Sequence, residues 1–487
     1  MTAPWLDITT LILVRLEWAI LVYFVLVNSF YAVVLLSAAW EMLWHAWQVR
    51  GESRWYLLNS PVAPRISMLA PAYNEAATIG ESVRALLALY YSNLEVIVVN
   101  DGSKDTTFAV LQEQFDLVLM HPIYRRQIDT KPLRGLYRSR SHPNLLIVDK
   151  DNGGKADALN TGLQLATGEL VCAMDADTLL ETDALLRLVR PFLMRRSVLA
   201  AGGTIRIVNG SVVESSRVVQ PRAPRRALAG FQVVEYLRAF LFGRLGWNRL
   251  GGNLIISGAF GLFQREAMLA AKGYTHDTVG EDMELVLRLR RHGYETQGPH
   301  EVVFVPDAVA WTEAPESLRV LGRQRDRWHR GLSDVLWRHR RLLFNPRYRA
   351  MGLVGYPYFV LMELLAPIVE AIGLVGSIAG LLLGALDMPF AVLFFLCAYG
   401  YGLVLTACAL LLEEVSLHHY EGMRDRLWLL LWALLENLGY RQLTVLWRLR
   451  GLYKFWRGRT EWGTMERRGF ATAATTPPRR QPAGESQ

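Results

Sequence analysis

Two kinds of hydrophobic segment divide the chain. Long apolar runs lie near the N-terminus, at residues 18–40, and beyond residue 350, at 353–385 and 389–412. Between them, residues 60–345 carry short apolar runs that alternate with stretches of helical spacing. Runs of about 20 apolar residues are long enough to cross a bilayer, whereas short runs bounded by turn residues are typical of buried strands. The pattern predicts a globular α/β domain between membrane segments.

The N-terminal apolar run predicts a retained transmembrane helix. Residues 18–40 are long enough to span a bilayer, and Asn28 is their only strongly polar residue. A cleaved signal peptide is the alternative, but the run is too long for one and has no obvious small-residue cleavage site. Near the other end, residues 353–385 predict either one long span kinked at Pro367 or two short ones, and residues 389–412 predict another.

The last apolar segment differs from the others because it is charged. Residues 424–447 combine Leu and Trp with Glu436 and Arg441, and arginines flank both ends, which predicts a helix lying in the cytoplasmic interface. Small, polar and Pro-rich residues at the end of the chain indicate disorder. The predicted organisation is an N-terminal membrane segment at 1–50, a globular domain at 51–345, transmembrane helices at 346–415, an interfacial helix with a basic tail at 416–470, and a disordered tail at 471–487.

Strand and helix patterns alternate within the globular domain, with helical spacing at 76–90 and 155–166. The strand patterns cover 66–70, 94–99, 145–148 and 170–174. This alternation predicts a doubly wound α/β sheet, and such sheets bind ligands at the carboxyl ends of their strands. Polar side chains just past the predicted strand ends are therefore expected to converge on one site: Asn74, Glu75, Asp101, Asp175 and Asp177.

Composition and charge narrow the class of protein. Hydrophobic residues make up 52% of the 487 residues, which is high for a wholly soluble protein, and the formal net charge is +8. Arginines cluster beside apolar stretches, at 338–349 and 448–459, which favours an anionic lipid surface over nucleic acid. The three cysteines lack metal-ligand spacing, and a reducing compartment is expected for the catalytic part.

Two short acidic and glycine-rich motifs can carry chemistry. Asp175 and Asp177 are spaced to hold a divalent cation on a diphosphate, because Mg²⁺ favours a few carboxylates with substrate phosphates; a solvated acidic turn is the alternative. Residues 152–155 (Asn-Gly-Gly-Lys) open a helical segment, where the backbone can approach an anion closely. A plain turn with an exposed lysine is the alternative for this segment.

Two further motifs lie nearer the C-terminus. Glu281 and Asp282 begin a helical pattern, where acids are often simple caps, or where one can act as a general base on an acceptor hydroxyl. Residues 324–328 (Gln-Arg-Asp-Arg-Trp) join guanidinium groups, which grip phosphate, to an indole, which stacks on a sugar or base. Arg and Trp also gather at membrane interfaces, so this pentapeptide alone is not decisive.

Taken together, these motifs occur in the order found in the membrane-integrated family 2 glycosyltransferases. The motifs are residues 71–75 (Pro-Ala-Tyr-Asn-Glu), 100–103 (Asn-Asp-Gly-Ser), 152–155, 175–177, 280–282 and 324–328. Over roughly residues 15–465 the chain resembles this family, which includes cellulose, hyaluronan, chitin and poly-N-acetylglucosamine synthases, and it resembles the bacterial poly-N-acetylglucosamine synthases most. The resemblance implies a GT-A-like nucleotide-sugar-binding domain between an N-terminal transmembrane helix and C-terminal transmembrane and interfacial helices.

The resemblance also implies a role for each matching residue. Asp282, with Glu281 beside it, is the catalytic base, and Asp177 and Asp175 bind Mg²⁺ or Mn²⁺. Arg325 and Asp326, the variable middle of the last motif, are expected to face water or lipid headgroups. The implied donor-binding residues are Ala72, Tyr73 and Glu75, which line the nucleobase and ribose pocket, Asp101, which contacts uracil, Lys155 and Asp175, which hold the UDP moiety, and Arg327, which contacts the diphosphate. The implied acceptor-binding residues are Gln324, Trp328, Ser257 and Gly258.

The implied activity is inverting transfer of a sugar from UDP-N-acetylglucosamine or UDP-glucose to the end of a growing β-linked polysaccharide, coupled to its export. Transfer of one sugar to a lipid carrier or glycolipid is the first alternative, and a non-catalytic membrane protein that kept the fold is the second. The expected partners are the UDP-sugar, a glycan or glycolipid acceptor, membrane lipid, and a small membrane or periplasmic subunit or further copies of the chain, with no nucleic acid. The expected location is the bacterial inner membrane, multi-pass, with the catalytic domain in the cytoplasm.

Overall fold

The computed structural model of the protein describes residues 4–50, 60, 62–121, 124–175, 178–384, 388–417, 420 and 422–458, with side chains from residue 11 onward. Its strands are β1 Ile66–Ala72, β2 Leu94–Asp101, β3 Leu117–Met120, β4 Leu133–Ser139, β5 Leu145–Lys150, β6 Leu170–Met174, β7 Leu179–Leu180, β8 Val198–Ile207, β9 Val212–Glu214, β10 Arg217–Gln220, β11 Phe260–Gln264 and β12 Glu301–Thr312. Ten of them form one mixed sheet in the order β3-β4-β5-β2-β1-β6-β11-β8-β12-β7, and β9 pairs with β10 in a separate hairpin.

Helices follow most strands and continue into the C-terminal region. They are α1 Pro4–Val49, α2 Ile79–Leu87, α3 Thr107–Phe115, α4 Lys155–Leu165, α5 Ala184–Leu188, α6 Arg190–Met194, α7 Ala227–Glu235, α8 Gly243–Leu250, α9 Arg265–Ala270, α10 Glu281–Thr296, α11 Leu318–Arg338, α12 Tyr356–Tyr358, α13 Ala366–Leu382, α14 Met388–Phe395, α15 Tyr401–Ser416, α16 Met423–Leu435 and α17 Tyr440–Trp456. Wider π-helical turns occur at Tyr236–Phe242, Met351–Gly355, Phe359–Leu364 and Leu396–Gly400, and 3₁₀ turns at Arg340–Leu342 and Pro346–Tyr348.

The four strands predicted from the sequence are neighbours at the centre of the sheet. β5, β2, β1 and β6 lie side by side and run parallel, and the predicted helix at 155–166 is α4, which ends one residue earlier. Antiparallel strands extend this parallel core, with β4 beside β5 on one side and β11 between β6 and β8 on the other. The sheet is therefore mixed rather than wholly parallel.

Alternate residues of β1 belong to cores on opposite faces of the sheet. Met68 packs in a cluster with Val83 of α2 and Leu111 of α3, whereas Leu69 packs in another with Leu163 of α4. Side chains alternate between the faces of a strand, so a strand buried on both faces has a continuous apolar sequence. The doubly wound arrangement predicted from the short apolar runs is confirmed.

In the part of the chain that the structure describes, three helical stretches are long and apolar enough to cross a membrane. They are Leu11–Val49, Met351–Leu382 and Met388–Ser416. The first and third contain the spans predicted at 18–40 and 389–412, and the second covers the span predicted at 353–385 as far as Leu382. The stretch from Met351 continues through Pro367, where a kink or a break into two spans was the open question. The first stretch meets the globular domain directly, since Ser37 Oγ donates a hydrogen bond to the Gly246 carbonyl at 2.9 Å.

The charged segment at 424–447, predicted as one interfacial helix, forms parts of two helices. α16 ends at Leu435, and α17 begins at Tyr440 after Gly439, which has a φ of 92° that suits glycine. The charges of this segment pair with other helices: Glu436 with Arg238, and Arg441 with Glu370 at 3.2 Å. These side chains therefore join the helices to one another.

Candidate active site

One cavity of about 1210 Å³ gathers many of the residues singled out from the sequence. It is bordered by the end of β6, the start of α10, the segment before β11, and α11. The predicted site residues that line it are Lys155, Asp175, Ser257, Gly258, Glu281, Asp282, Gln324, Arg327 and Trp328. Motifs spread over more than 170 residues of sequence thus share one space.

Lys155 connects two of the acidic motifs in this cavity. Its Nζ donates to Asp175 Oδ1 at 2.5 Å and lies 3.9 Å from Glu281 Oε1. Burial opposes the charge on Lys155, but the Asp175 and Glu281 carboxylates raise its pKa above the ordinary value. Burial raises the pKa of Glu281, and the charge of Lys155 opposes that rise. The result is a fixed cation in the wall of the site.

Asp282 occupies the first turn of α10 and is held by backbone groups. Its Oδ2 accepts a hydrogen bond from Gly258 N at 3.2 Å, and its Oδ1 accepts one from Met283 N at 2.8 Å. A side chain at Gly258 would begin 3.3 Å from Lys155 Nζ, so glycine allows the backbone to pass between the cation and the carboxylate. These bonds orient the Asp282 carboxylate within the cavity wall.

Asp101 lies next to the cavity and organises the Asn-Gly-Gly-Lys loop. Its Oδ1 accepts from Lys150 Nζ at 2.8 Å and from Gly153 N at 3.0 Å, and its Oδ2 accepts from Gly154 N at 2.7 Å. Both carboxylate oxygens are thus bound to the loop that leads into Lys155. Its implied contact with uracil stays a prediction.

Lys150 was missed in the sequence. It is fully buried and lies 2.8 Å from Asp101 and 2.6 Å from Asp157, so one ammonium joins the end of β2 to the first turn of α4. The signal that could have found it is a lysine ending an apolar strand pattern, Leu-Leu-Ile-Val-Asp-Lys, because lysine is almost never fully buried unless it is paired.

The implied nucleobase residues lie at the end of β1. Ala72 is buried, Tyr73 is 44% exposed, and Glu75 donates its backbone N–H to Thr107 Oγ1 at 2.9 Å. Within the described part of the chain these three, like Asp101, do not line the 1210 Å³ cavity. The structure thus separates the implied base-binding residues from those around Asp282.

Of the two implied metal ligands, Asp175 lies in the cavity, and Asp177 lies outside the described residues. The Asp175 side chain is 29% exposed and offers carboxylate oxygen, the donor type that Mg²⁺ and Mn²⁺ favour. Its neighbour Lys155 supplies positive charge for the same anionic ligand. Asp175 therefore fits a divalent metal held together with a diphosphate.

α11 carries the Gln-Arg-Asp-Arg-Trp motif along the cavity, with Gln324, Arg327 and Trp328 in its lining. The expectation that Arg325 and Asp326 face water or lipid headgroups is wrong. Arg325 is 4% exposed and donates to Glu235 at 2.7 Å, and Asp326 is 2% exposed. Successive residues of an α-helix lie about 100° apart around its axis, so Arg325 and Asp326 fall on a different face from Gln324, Arg327 and Trp328. That face packs against α7 and α17.

Asp326 links α11 to α17. Its Oδ2 accepts from Arg450 Nε at 2.8 Å and from Lys454 Nζ at 2.5 Å. The backbones also approach closely, since a side chain at Gly451 would collide with the Asp326 carbonyl. The C-terminal helix thereby fixes the helix that presents Arg327 and Trp328.

Asp326→Asn is expected to destabilise the protein by about 1.5–3 kcal/mol, because a hydrogen bond between charged groups is lost at a buried position. The matched control is Asp334→Asn on the same helix, where the pair with Arg338 is more exposed and worth about 0.5 kcal/mol. Thermal unfolding in detergent measures both. Equal midpoints for the two variants would show that Asp326 does not fix α11.

Aromatic side chains surround Trp328. Its ring centroid lies 5.9 Å from that of Phe240 and 6.5 Å from that of Tyr236, and the Arg325 guanidinium lies 4.4 Å from it on the buried side. Tyr236 and Phe240 belong to the π-helical turn Tyr236–Phe242 and also line the cavity. We call Tyr236, Phe240 and Trp328 the aromatic cluster. Sequence reasoning found only Trp328.

Two glycosyltransferase family models match parts of the chain. Residues 67–268 match the family model for glycosyl transferase family 2, and residues 170–405 match that for glycosyl transferase family group 2. The chain carries a family 2 glycosyltransferase domain. The resemblance found in the sequence is confirmed, and so is the GT-A-like mixed sheet, with apolar helices on both sides of it in the chain.

Curated relatives of the chain include two bacterial proteins. The probable glycosyltransferase YdaM of Bacillus subtilis is 28% identical over 319 residues, which are 62% of this chain and 66% of the relative. The poly-beta-1,6-N-acetyl-D-glucosamine synthase of Staphylococcus aureus is 28% identical over 298 residues, 61% of this chain and 60% of the relative. The matches thus span less than two thirds of either relative's length.

Solved structures also match the chain. One is a mannosyltransferase from Pyrobaculum calidifontis in complex with GDP-Man and Mn²⁺. It is 21% identical, with a TM-score of 0.47, and the match covers 86% of this chain and 99% of that one.

Proposed function

We propose that the protein is an inverting, membrane-bound glycosyltransferase that moves a sugar from a UDP-sugar to the end of a growing β-linked polysaccharide. The observation that carries the proposal is the cavity itself. It joins one carboxylate suited to act as a base, Asp282, to a fixed cation, Lys155, and to Arg327 and Trp328 of α11. The family and the poly-beta-1,6-N-acetyl-D-glucosamine synthase among its relatives support this reading.

In the proposed reaction Asp282 takes the proton from an acceptor hydroxyl, and that oxygen attacks the anomeric carbon as its bond to the diphosphate breaks. Lys155 and Arg327 stabilise the negative charge on the departing UDP, and Glu281 holds Lys155 in place. A divalent metal ion at Asp175 and Asp177 would neutralise part of the same charge when bound. A single displacement with one base inverts the anomeric carbon, so an α-linked donor gives a β-linked product.

The extent of the cavity favours a polymeric acceptor. Besides the aromatic cluster, its lining includes Tyr358 and Glu363, which lie on the apolar stretch Met351–Leu382. An acceptor on Trp328 would therefore point toward the membrane helices, as a chain destined for export must. A glycan cannot cross hydrocarbon unsheltered, so these helices, or a partner subunit or a further copy of the chain, must enclose it. We place the catalytic domain on the cytoplasmic side of a bacterial inner membrane.

A donor panel tests the proposal on purified protein in lipid nanodiscs. UDP-N-acetylglucosamine, UDP-glucose and GDP-mannose are supplied separately with Mg²⁺ or Mn²⁺, and release of the nucleoside diphosphate is measured. Release of UDP from one of the UDP-sugars is expected. Turnover of GDP-mannose alone would overturn the assignment of a uridine donor, and no turnover of any donor would overturn the proposed activity.

Asp177→Ala is expected to abolish the metal-dependent part of UDP binding, because the carboxylate pair that would hold the ion is halved. Titration of UDP with and without EDTA measures this part directly. Asp129→Ala, an exposed carboxylate far from the motif in sequence, serves as the control and should bind UDP as the unaltered protein does. Metal-dependent UDP binding that persists in Asp177→Ala would exclude Asp177 as a ligand.

A further inference from the structure

Arg244 is a buried cation in the wall of the catalytic cavity. It lies in the first turn of α8, directly after the π-helical turn Tyr236–Phe242, and is 8% exposed. Its guanidinium carbon lies 4.6 Å from the centroid of the Phe240 ring, which belongs to the aromatic cluster. Neither the family motifs nor the proposed mechanism uses this residue.

The charge of Arg244 has no ion-pair partner among the residues that the structure describes. Two other arginines beside the same helices do have one: Arg325 pairs with Glu235 at 2.7 Å, and Arg238 pairs with Glu436. Protein atoms do not fully enclose the Arg244 nitrogens either, and the residue lines the cavity. The guanidinium donors therefore face the cavity.

A cation in this position is costly unless the cavity supplies hydrogen-bond acceptors. Burial lowers the pKa of Arg244 to about 10, and the negative charge of Asp282 opposes that fall, so the group stays charged at neutral pH. Removing such a charge from water is unfavourable unless other groups compensate it. A ligand rich in oxygen acceptors would compensate it through the five N–H donors of the guanidinium.

The surroundings of Arg244 place it on the acceptor side of the site. The Phe240 ring beneath it lies 5.9 Å from the Trp328 ring, and Asp282 acts on it through its charge. Lys155 and Asp175 form a separate charged pair at 2.5 Å. π-helical turns within helices are frequent at functional sites, and this one sets both Phe240 and Arg244 against the cavity.

We propose that Arg244 binds the terminal sugar of the acceptor glycan, donating hydrogen bonds to its oxygen atoms while the aromatic cluster stacks on the ring. The inference rests on the proposed function. It gives the acceptor site two kinds of contact: Trp328 and Phe240 recognise the face of the sugar, and Arg244 fixes its rotation, so that one hydroxyl points to Asp282.

The test compares Arg244→Gln and Arg244→Lys with the unaltered protein in nanodiscs. UDP release is measured against rising N-acetylglucosamine with UDP-N-acetylglucosamine as donor, or rising glucose with UDP-glucose, and UDP affinity is titrated separately. Arg244→Gln is expected to raise the acceptor KM at least tenfold and to leave UDP affinity within twofold. Arg244→Lys keeps the charge and most of the packing, so its acceptor KM should lie between those of Arg244→Gln and the unaltered protein. Arg249→Gln, on the same helix but paired with Glu41 outside the cavity lining, is the control and should change neither value.

Three outcomes would overturn the inference. A tenfold loss of UDP affinity with an unchanged acceptor KM would assign Arg244 to the diphosphate. An unchanged acceptor KM and an unchanged UDP affinity in both Arg244→Gln and Arg244→Lys would show that Arg244 only packs against its neighbours. If the unaltered protein releases no UDP, both the inference and the proposed function fail. If it releases UDP and Arg244→Gln has the same acceptor KM, only the inference fails.

Discussion

Asp282→Asn is expected to lower sugar transfer by about 10²–10⁴-fold and to leave UDP binding within about twofold. Asparagine has nearly the same shape, and its amide oxygen can still accept the hydrogen bond from Gly258 N, so the loop between Asp282 and Lys155 should keep its place. What is lost is the ability to take a proton from the acceptor hydroxyl. Lys155 and Asp175 are unchanged in this variant, which is why binding and turnover should separate.

Two measurements check this result: UDP release from the donor, and UDP affinity by titration. Asp277→Asn is the control, since Asp277 lies five residues earlier in an exposed pair with Arg338. Near-normal transfer by Asp282→Asn would remove Asp282 as the base. Loss of UDP affinity together with transfer would show instead that the carboxylate holds the donor site together.

Lys150→Met is expected to reduce the free energy of unfolding by about 3–5 kcal/mol and to abolish activity. The ammonium is fully buried between Asp101 and Asp157, and without it two carboxylates remain in the interior with no cation between them. Asp101 would then hold the loop at Gly153 and Gly154 less firmly, and Lys155 would lose its position at the end of that loop.

The thermal unfolding midpoint of the detergent-solubilised protein measures this loss, and a fall of about 10 °C is expected for a domain of this size. Lys104→Met is the control, because Lys104 is exposed and carries the same change of charge and shape. Equal midpoints for Lys150→Met and Lys104→Met would show that the buried ammonium does not hold the loop.

The sheet and the membrane spans could be predicted because they depend on local patterns. A strand buried on both faces has a mostly apolar sequence, as β1 and β2 do, and a bilayer requires a long apolar run, as in α1. The sequence also predicted that several motifs share one site, because such sheets bind ligands where their parallel strands end. Asp175 follows that rule and lies in the cavity.

What could not be predicted depends on partners distant in sequence. The sequence around Asp326 is typical of an exposed helical residue. Its partners Arg450 and Lys454 lie more than 120 residues later in the chain, so the sequence alone does not show that it is buried. Nothing in the sequence distinguishes Arg244 from the other arginines, and only the structure shows that its charge faces the cavity. The charged segment at 424–447 suggested an interface with lipid because its partners, Arg238 and Glu370, lie on other helices.

The length of the product tests the central claim most directly. Purified protein in nanodiscs is given the radiolabelled UDP-sugar that supports turnover, and the product is sized and digested with linkage-specific glycosidases. A long glycan that β-specific enzymes degrade, made by the unaltered protein and not by Asp282→Asn, is the predicted result. A single labelled sugar attached to lipid would contradict the assignment of a polysaccharide synthase.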